Sequence, residues 1–394
     1  MKTGTDILLV SNGYGEAAIA GYIGRAIGNL DPSALLEHYP LVGRARADAW
    51  LQPVGPQQDM PSGGLVANIN LRNLSSDLRS GLLRLLMRQN RFLRAQRQRS
   101  VIIAVGDIFC LAMSLVAGRP TIFVATAKSD YVSAHSAIER WIARKAKLTF
   151  ARDEPTAFSL RASGIRAEYA GNAMMDGIRS GQVDVAADPR AARFGVLPGS
   201  RADAPRVAAA MLGRLVAIAE LLQSRGQATQ AFMAVAPSVD ALALVAALRS
   251  EGFAMPDPGG DEGIVAKATH GSLEVVLVRG AFGDVLAASQ IVLGQAGTAN
   301  EQAAGAGRPV VAALEPGENP KKMLWYRMRQ KRLLGDALLV LPSDKDEFAR
   351  GVVRLIEDPR QMTLMGEVGR SRMGAPGGAA AVAAAALAVA SSRP

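Results

Sequence analysis

Short runs of apolar, β-branched residues alternate with longer segments of helical spacing along nearly the whole chain. That alternation leaves few folds open. Residues 7–10, 101–105, 121–124 and 148–150 read as strands in the first half, and 194–197, 231–235, 274–278, 291–294 and 310–313 in the second. Strands separated by helices pair in parallel, so each half predicts a doubly wound α/β sheet. Residues 182–189 lack helical periodicity and read as the linker. The domains expected are therefore 1–185 and 190–370, followed by an Ala-rich helix or tail over 371–394. A chain of 394 residues is long enough for two full cores. Ligands of such sheets sit at the carboxyl ends of the strands.

At one such end stands Leu197-Pro198-Gly199-Ser200-Arg201, between an apolar run and a segment with helical spacing (Val207, Met211, Leu215, Ile218, Leu222). A strand–turn–helix of this kind aims free N–H groups and the positive end of a helix at one point. Gly199 permits close backbone approach, Ser200 can donate, and Arg201 offers a fork that fits a phosphate. A diphosphate is the natural occupant; a plain helix start is the bland alternative.

Three further segments carry candidate chemistry. Ser11-Asn12-Gly13-Tyr14-Gly15-Glu16 follows a strand and opens a helix, with Gly13 and Gly15 allowing a tight loop, either a substrate loop or a structural turn. Gly106-Asp107 ends another strand, and Asp107 reads as a general base or as a loop cap. Gly294-Gln295-Ala296-Gly297-Thr298-Ala299-Asn300-Glu301-Gln302 reads as a ribose-holding turn, as a capping box of Thr298 with Glu301, or as both.

Residues 77–97 form an amphipathic segment. Leu78, Leu82, Leu85, Leu86 and Leu93 share one face, and Arg84, Arg88 and Arg91 line the other. Arg72, Arg79, Arg94, Arg97 and Arg99 add charge, and Asp77 is the only acid between Arg72 and Arg99. The pattern fits either a core-facing helix with a solvated back or a helix that docks on an anionic membrane surface. The pair Met174-Met175 reads as packing.

The chain holds 45 Lys and Arg against 35 Asp and Glu, a net charge of +10, which suits phosphorylated ligands or anionic lipid. No basic-aromatic cluster speaks for nucleic acid. Three histidines and one cysteine predict no zinc site and no internal disulfide, and the histidines have no Ser/Asp or Cys context for a triad. The first residues lack the basic start and apolar core of a signal peptide. No run reaches the ~18–20 apolar residues that span a bilayer. The Ala-rich tail is expected as a surface helix, and the chain as cytoplasmic.

Together these segments resemble lipid-A-disaccharide synthase and, more closely, the lipid-A-disaccharide-synthase-related proteins. Asn12-Gly13-Tyr14-Gly15-Glu16, Leu197-Pro198-Gly199-Ser200-Arg201 and Gly297-Thr298-Ala299-Asn300-Glu301-Gln302 stand in the family's order. Thr126-Ala127-Lys128-Ser129-Asp130-Tyr131, Arg152-Asp153 and the stretch from Tyr169 through Asn172 to Gly177 are similar to the related subfamily. The resemblance implies a GT-B glycosyltransferase with two Rossmann-like domains facing a cleft. It implies inverting, metal-independent transfer from a UDP-sugar to a lipid or membrane-associated acceptor on the inner face of the cytoplasmic membrane, with no cofactor. On that reading Gly199, Ser200, Arg201, Gly297, Thr298, Glu301 and Gln302 hold the nucleotide-sugar. Asn12, Gly13, Gly15 and Asn172 hold the acceptor, Asp107 or Glu16 is the base, and Arg201 stabilises the leaving diphosphate. The family places histidine and aspartate where this chain has Tyr14 and Ala17, proline where it has Ala173, and glutamate where it has Gln302. A UDP-sugar 2-epimerase on the same fold, and a non-catalytic membrane-surface protein, are the alternatives.

Overall fold

The computed structural model describes residues 5–43, 51–58, 82–201, 203–255, 263–315 and 320–392. The chain divides into two units, Met1–Gly177 with Ala375–Pro394, and Ile178–Gly374.

In the first unit the order is β1 (Asp6–Ser11), α1 (Tyr14–Leu30), β2 (Leu35–Pro40), β3 (Gln52–Pro53), α2 (Leu82–Arg94), β4 (Val101–Gly106), α3 (Ile108–Leu115), β5 (Thr121–Ala125), α4 (Ala137–Ala143), β6 (Leu148–Ala151), α5 (Glu154–Ala162) and β7 (Ala167–Glu168). The seven strands pair in the order β3-β2-β1-β4-β5-β6-β7, all parallel. Every residue of β4 and β5 is buried, as a sheet covered on both faces requires. One face packs Leu8, Val10, Ile102 and Phe123 against Leu93, Cys110 and Leu111. The strand order reverses between β1 and β4, where Ser11 lies opposite Val105. That reversal opens a crevice at the carboxyl edge of the sheet.

The second unit repeats the plan. It runs β8 (Ala192–Leu197), α6 (Ala204–Gln223), β9 (Thr229–Val235), α7 (Ala241–Ser250), β10 (Ile264–His270), β11 (Leu273–Arg279), α8 (Phe282–Ala288), β12 (Ile291–Gly294), α9 (Thr298–Gly305), β13 (Val310–Leu314), α10 (Pro320–Leu334), β14 (Leu338–Pro342), α11 (Lys345–Ile356) and α12 (Pro359–Met373). The sheet order is β10-β11-β9-β8-β12-β13-β14. Only the edge strand β10 is antiparallel. Here the reversal lies between β8 and β12, with Leu197 opposite Gly294.

Two expectations about chain division change. Residues 182–189 are not a free linker. The Asp284 carboxylate accepts the N–H groups of Gly181, Gln182 and Val183, the latter two at 3.0 Å, and Val185 is buried against Phe232 and Val276. This segment is an integral part of the second unit. The Ala-rich tail forms α13 (Gly378–Ser391), a helix with one face buried on the first unit and the other exposed. Its small residues Gly378, Ala379, Val382, Ala383 and Ala386 are buried, packed on α1, β4 and β5 of the first unit. Asp176 fixes its start, accepting the N–H groups of Gly377 at 2.6 Å and Ala379 at 2.7 Å. A carboxylate at a helix N-terminus is favourably placed. By length and composition alone the stretch Pro359–Ser391 is apolar enough to cross a membrane. It is nevertheless two helices in different units, and the 14 residues of α13 extend only roughly 21 Å, short of a ~30 Å hydrocarbon core.

Candidate active site

In the second unit the site starts where β8 ends. Pro198 leads into Gly199, whose φ of +102° is a conformation that favours glycine, with nothing within 4 Å of where a side chain would begin. The backbone is thus open on that side. Ser200 and Arg201 are exposed, and the Ser200 carbonyl accepts the Ser238 hydroxyl at 2.9 Å. No side chain caps α6, which begins three residues after Arg201. The Ala204 N–H donates back to Arg201 O at 3.0 Å and Pro205 has no N–H, so of the first three residues only Arg206 keeps an uncommitted N–H.

The facing turn after β12 is held from below by a buried amide and guanidinium network. Arg327, Gln330 and Asn300 are 2%, 6% and 0% exposed. Arg327 donates to Gln330 Oε1 at 2.6 Å and to Gln295 Oε1. Gln330 Nε2 donates to the carbonyls of Ala296 and Gly297, both at 3.2 Å, and Asn300 Nδ2 to Gly294 O at 3.1 Å. The expected capping box is absent. Gly297, not Thr298, is the N-cap of α9, no side chain caps it, and Thr298 is exposed in the first helical turn. This uncapped start leaves α9 with the Thr298 and Ala299 N–H groups available to a ligand.

Tyr326 on α10 ties the two turns together. A Cβ at Gly297 would lie 2.6 Å from its hydroxyl, so only glycine admits the ring there. Burial, then Glu301, push the Tyr326 phenol above its ordinary value, while Arg201, Arg327 and Arg329 pull against them. Glu301 and Arg201 therefore share one electrostatic environment, although 100 residues separate them in sequence. Gln302 is half-buried on the same first turns of α9.

In the first unit Asn12, Gly13, Gly15, Glu16 and Asp107 gather at the β1/β4 reversal. The Asn12 N–H donates to Val105 O at 3.3 Å, and Gly13 is the N-cap of α1. Glu16 and Gly15 stand in the first turn of that helix, the latter exposed. Asp107 does cap α3: its Oδ1 accepts the N–H groups of Phe109 and Cys110, each at 3.0 Å. The Cys110 thiol is pushed up by burial and then by Asp107 and Glu16, so both carboxylates lie in electrostatic range of one buried atom. Asn172 stands apart from this group. It is buried in the segment that receives the returning chain, its N–H donating to Ala375 O at 2.8 Å and its Oδ1 accepting the Met174 N–H at 3.1 Å. Met174 and Met175 are buried, as expected.

Five polar atoms in this unit stand out, four of them on residues in the sequence motifs above and one on His135, to which the sequence assigned no role. Asn12 Oδ1, Thr126 Oγ1, Asp130 Oδ1, His135 Nδ1 and Asp153 Oδ2 are buried without a partner. They belong to the segments that follow β1, β5 and β6, and short links join them. Thr126 N–H donates to Gly106 O at 3.1 Å, and Thr156 bridges Asp153 and the Asp130 N–H. Burial holds the His135 imidazole below its ordinary 6.5, with Lys128 and Arg140 helping and Glu139 and Asp130 opposing. The unfolded chain thus binds this proton at a higher pH than the folded one. Stability should be full above about pH 6.5 and fall as the pH drops through that value toward the folded pKa. Urea midpoints at pH 7.5 and 5.5 should show a smaller drop in His135→Gln than in the wild type. An equal drop would place the proton elsewhere. Sequence also missed that His38 Nε2 and the Ser11 hydroxyl are 2.9 Å apart, both buried.

The arginine face of α2 is solvent-exposed at Arg84, Arg88 and Arg91, and Met87 beside it is 66% exposed. Of the leucines, Leu85 and Leu93 are buried in the first unit and Leu86 is half-buried. Arg99, expected to add charge, is buried and paired with Asp6 at 2.5 Å and with Glu37. Arg72, Asp77, Leu78, Arg79 and the side chains of Tyr14 and Leu82 lie outside the described residues.

Two parallel-dominated seven-stranded sheets in separate units, each with its crevice at a strand-order reversal, define the GT-B fold. Compared by sequence, the chain matches no family model and no curated protein. By structure it is similar to a UDP-glucosyltransferase from Polygonum tinctorium, with TM-score 0.57 and 11% identity, covering 100% of both chains. It is similar to MurG of Acinetobacter baumannii, with TM-score 0.56 and 11% identity over 98% of this chain and 99% of that one. It is also similar to a UDP-GlcNAc 2-epimerase from Neisseria meningitidis solved with UDP-GlcNAc, with TM-score 0.53 and 12% identity over 98% and 100%.

Proposed function

We propose that this chain is an inverting, metal-independent glycosyltransferase, related to lipid-A-disaccharide synthase, that moves a sugar from a UDP-sugar to a lipid or membrane-associated acceptor. The observation that carries the reading is that the two turns leave adjacent strand ends, with Gly294 opposite Leu197 and the Gln295 N–H on Leu197 O at 3.0 Å. The uncapped start of α9, the open backbone at Gly199 and one exposed guanidinium there suit a diphosphate. The neighbours named above include proteins described as UDP-glucosyltransferase and as bound to UDP-GlcNAc, which supports a UDP-sugar donor.

In the proposed reaction an acceptor hydroxyl attacks the anomeric carbon opposite the diphosphate. The new C–O bond forms as the bond to the β-phosphate oxygen breaks, and the configuration inverts. Asp107 or Glu16 takes the hydroxyl proton; Asp107 would use Oδ2, because Oδ1 caps α3. Arg201 and the backbone N–H groups after Pro198 meet the charge that develops on the departing UDP.

A UDP-sugar 2-epimerase is the second reading, favoured by the likeness to the Neisseria enzyme. Inversion at C2 breaks the C2–H bond. In heavy water with UDP-GlcNAc and no acceptor, an epimerase incorporates deuterium at C2, whereas a transferase leaves C2 protonated and releases UDP only when an acceptor is present. Among the described residues no group of three or more His, Cys, Asp and Glu is placed to hold a metal. UDP release should therefore survive excess EDTA, and deuterium at C2 or collapse with chelator would overturn the proposal.

The membrane part of the reading rests on Arg84, Arg88 and Arg91, peripheral on the cytoplasmic side. With Leu85 and Leu93 buried, the attraction is electrostatic, with a contribution of about 1 kcal/mol from each basic residue. Replacing all three by glutamate should abolish sedimentation with phosphatidylglycerol vesicles at low salt and leave UDP binding intact. Added salt should release the wild type, since exposed charges are screened over ~8–10 Å. Vesicle binding that the triple variant retains would reduce this helix to an ordinary solvated face.

A further inference from the structure

The opposite edge of the second sheet, at the amino ends of its strands, carries positive charge that no donor site needs. Arg193 opens β8, Arg308 precedes β13, and Arg370 lies on α12. Each is placed by a contact of its own, and Gly307 beneath Arg370 is the neighbour of Arg308. The Arg193 N–H donates to Gln290 Oε1 at 3.2 Å, and Arg308 Nη2 donates to the nearby Ala287 carbonyl at 3.3 Å. Arg370 Nη1 lies so close over Gly307 that a Cβ there would stand 1.8 Å away. None of the three forms an ion pair among the described residues. Asp188 lies within electrostatic range of Arg193 but is engaged by Arg190, at 2.9 Å to its N–H and 3.3 Å to its Nε. Both Arg193 Nε and Arg308 Nε are buried without an acceptor. Burial first, then Arg193 and Arg370, hold the Arg308 guanidinium below its ordinary range.

Arg193 also lines a pocket of about 390 Å³. Arg193, Gln227, Gln290 and Thr363 supply its polar wall, and Phe194 and Met362 part of its apolar one. That volume is within the range of small-molecule sites. The guanidinium fork is the side chain best matched to phosphate oxygens.

We propose that this edge binds the phosphate group of a soluble organic phosphate whose apolar body fills the pocket, at a site separate from the one at Arg201. The six residues of β8 set the two sites roughly 20 Å apart, beyond the reach of one diphosphate. The inference does not rest on the glycosyltransferase reading, because it concerns the other end of the strands.

Phenyl phosphate is a suitable probe, carrying one phosphate and one apolar ring. Calorimetric titration of the full chain should show saturable binding that is unchanged in Arg201→Ala. Binding should weaken at least tenfold in Arg308→Gln and in Arg370→Gln. Arg370 is exposed, so the second variant keeps the test valid if the first does not fold. Without ligand, Arg370→Gln should melt no lower than the wild type, since it removes one of three repelling charges. Inorganic phosphate should bind more weakly than phenyl phosphate. The proposal is overturned if phenyl phosphate does not bind, if Arg201→Ala abolishes its binding, or if unliganded Arg370→Gln is destabilised. Binding only to phosphatidic acid vesicles would also overturn it, making the cluster a lipid-headgroup contact. UDP titrations run beside these report on the donor reading separately.

Discussion

Arg201→Ala is expected to weaken UDP binding by about 1.5–3 kcal/mol, a factor of roughly ten to more than a hundred, with little change in folding. The guanidinium is exposed at the end of β8 and its side chain makes no ion pair among the described residues, so its removal takes nothing from the core. What it takes away is a charge-assisted donor beside the uncapped start of α9, which acts only within its first turn. The magnitude separates this residue from its neighbours. Ser200→Ala removes a neutral hydroxyl and should cost about 0.5–1.5 kcal/mol. Titration of both folded variants with UDP checks the order. Unchanged UDP affinity in Arg201→Ala would move the nucleotide away from this turn, and with it the reading of the second unit as the donor domain.

The sequence pattern carried the central strands and lost the edges, and the reason is burial on two faces. β4 and β5 are unbroken apolar runs because helices cover both sides, and such runs announce themselves. The edge strand β3 is only Gln52–Pro53, and the edge strand β10 alternates exposed Lys267 and Thr269 with buried Ala266 and Ala268. Edge strands of this kind face water on one side and read as loops. The chain division was misread for a related reason. Residues 182–189 look like a linker, having no periodicity, but Asp284 recruits their backbone from 100 residues away. Asn172 and Asp176 stood out as a motif, and their contacts are with residues 375–379, an arrangement no local pattern could announce. The turns themselves were legible, because Pro-Gly-Ser-Arg and Gly-Thr require the conformations that the structure gives them. Their support from helix α10 was not, since Arg327 and Gln330 look like any solvated positions in a segment rich in Lys and Arg.

That hidden support gives the largest stability effect. Arg327→Met should destabilise the second unit by about 2–4 kcal/mol, from two opposing contributions. Burial holds the Arg327 guanidinium below its ordinary range, so an apolar replacement of similar volume relieves a desolvation cost. Against this, the change leaves Gln295 Oε1 and Gln330 Oε1 without their guanidinium donor, each a buried amide oxygen costing about 1–3 kcal/mol when unsatisfied. Gln330 still has Asn300 Nδ2 at 3.3 Å, but that amide is shared with Gly294 O, so it compensates only in part. The amide losses outweigh the relief. Because Gln330 also holds the carbonyls of Ala296 and Gly297, the turn that faces Arg201 loosens with it. Hydrogen exchange at residues 294–302 should therefore rise and UDP affinity fall in the same variant, without any change to a group that touches the nucleotide. Urea unfolding followed alongside exchange tests both halves. A variant as stable as the wild type, with unchanged exchange in the turn, would mean that the network is an expense of burial rather than the brace of the site.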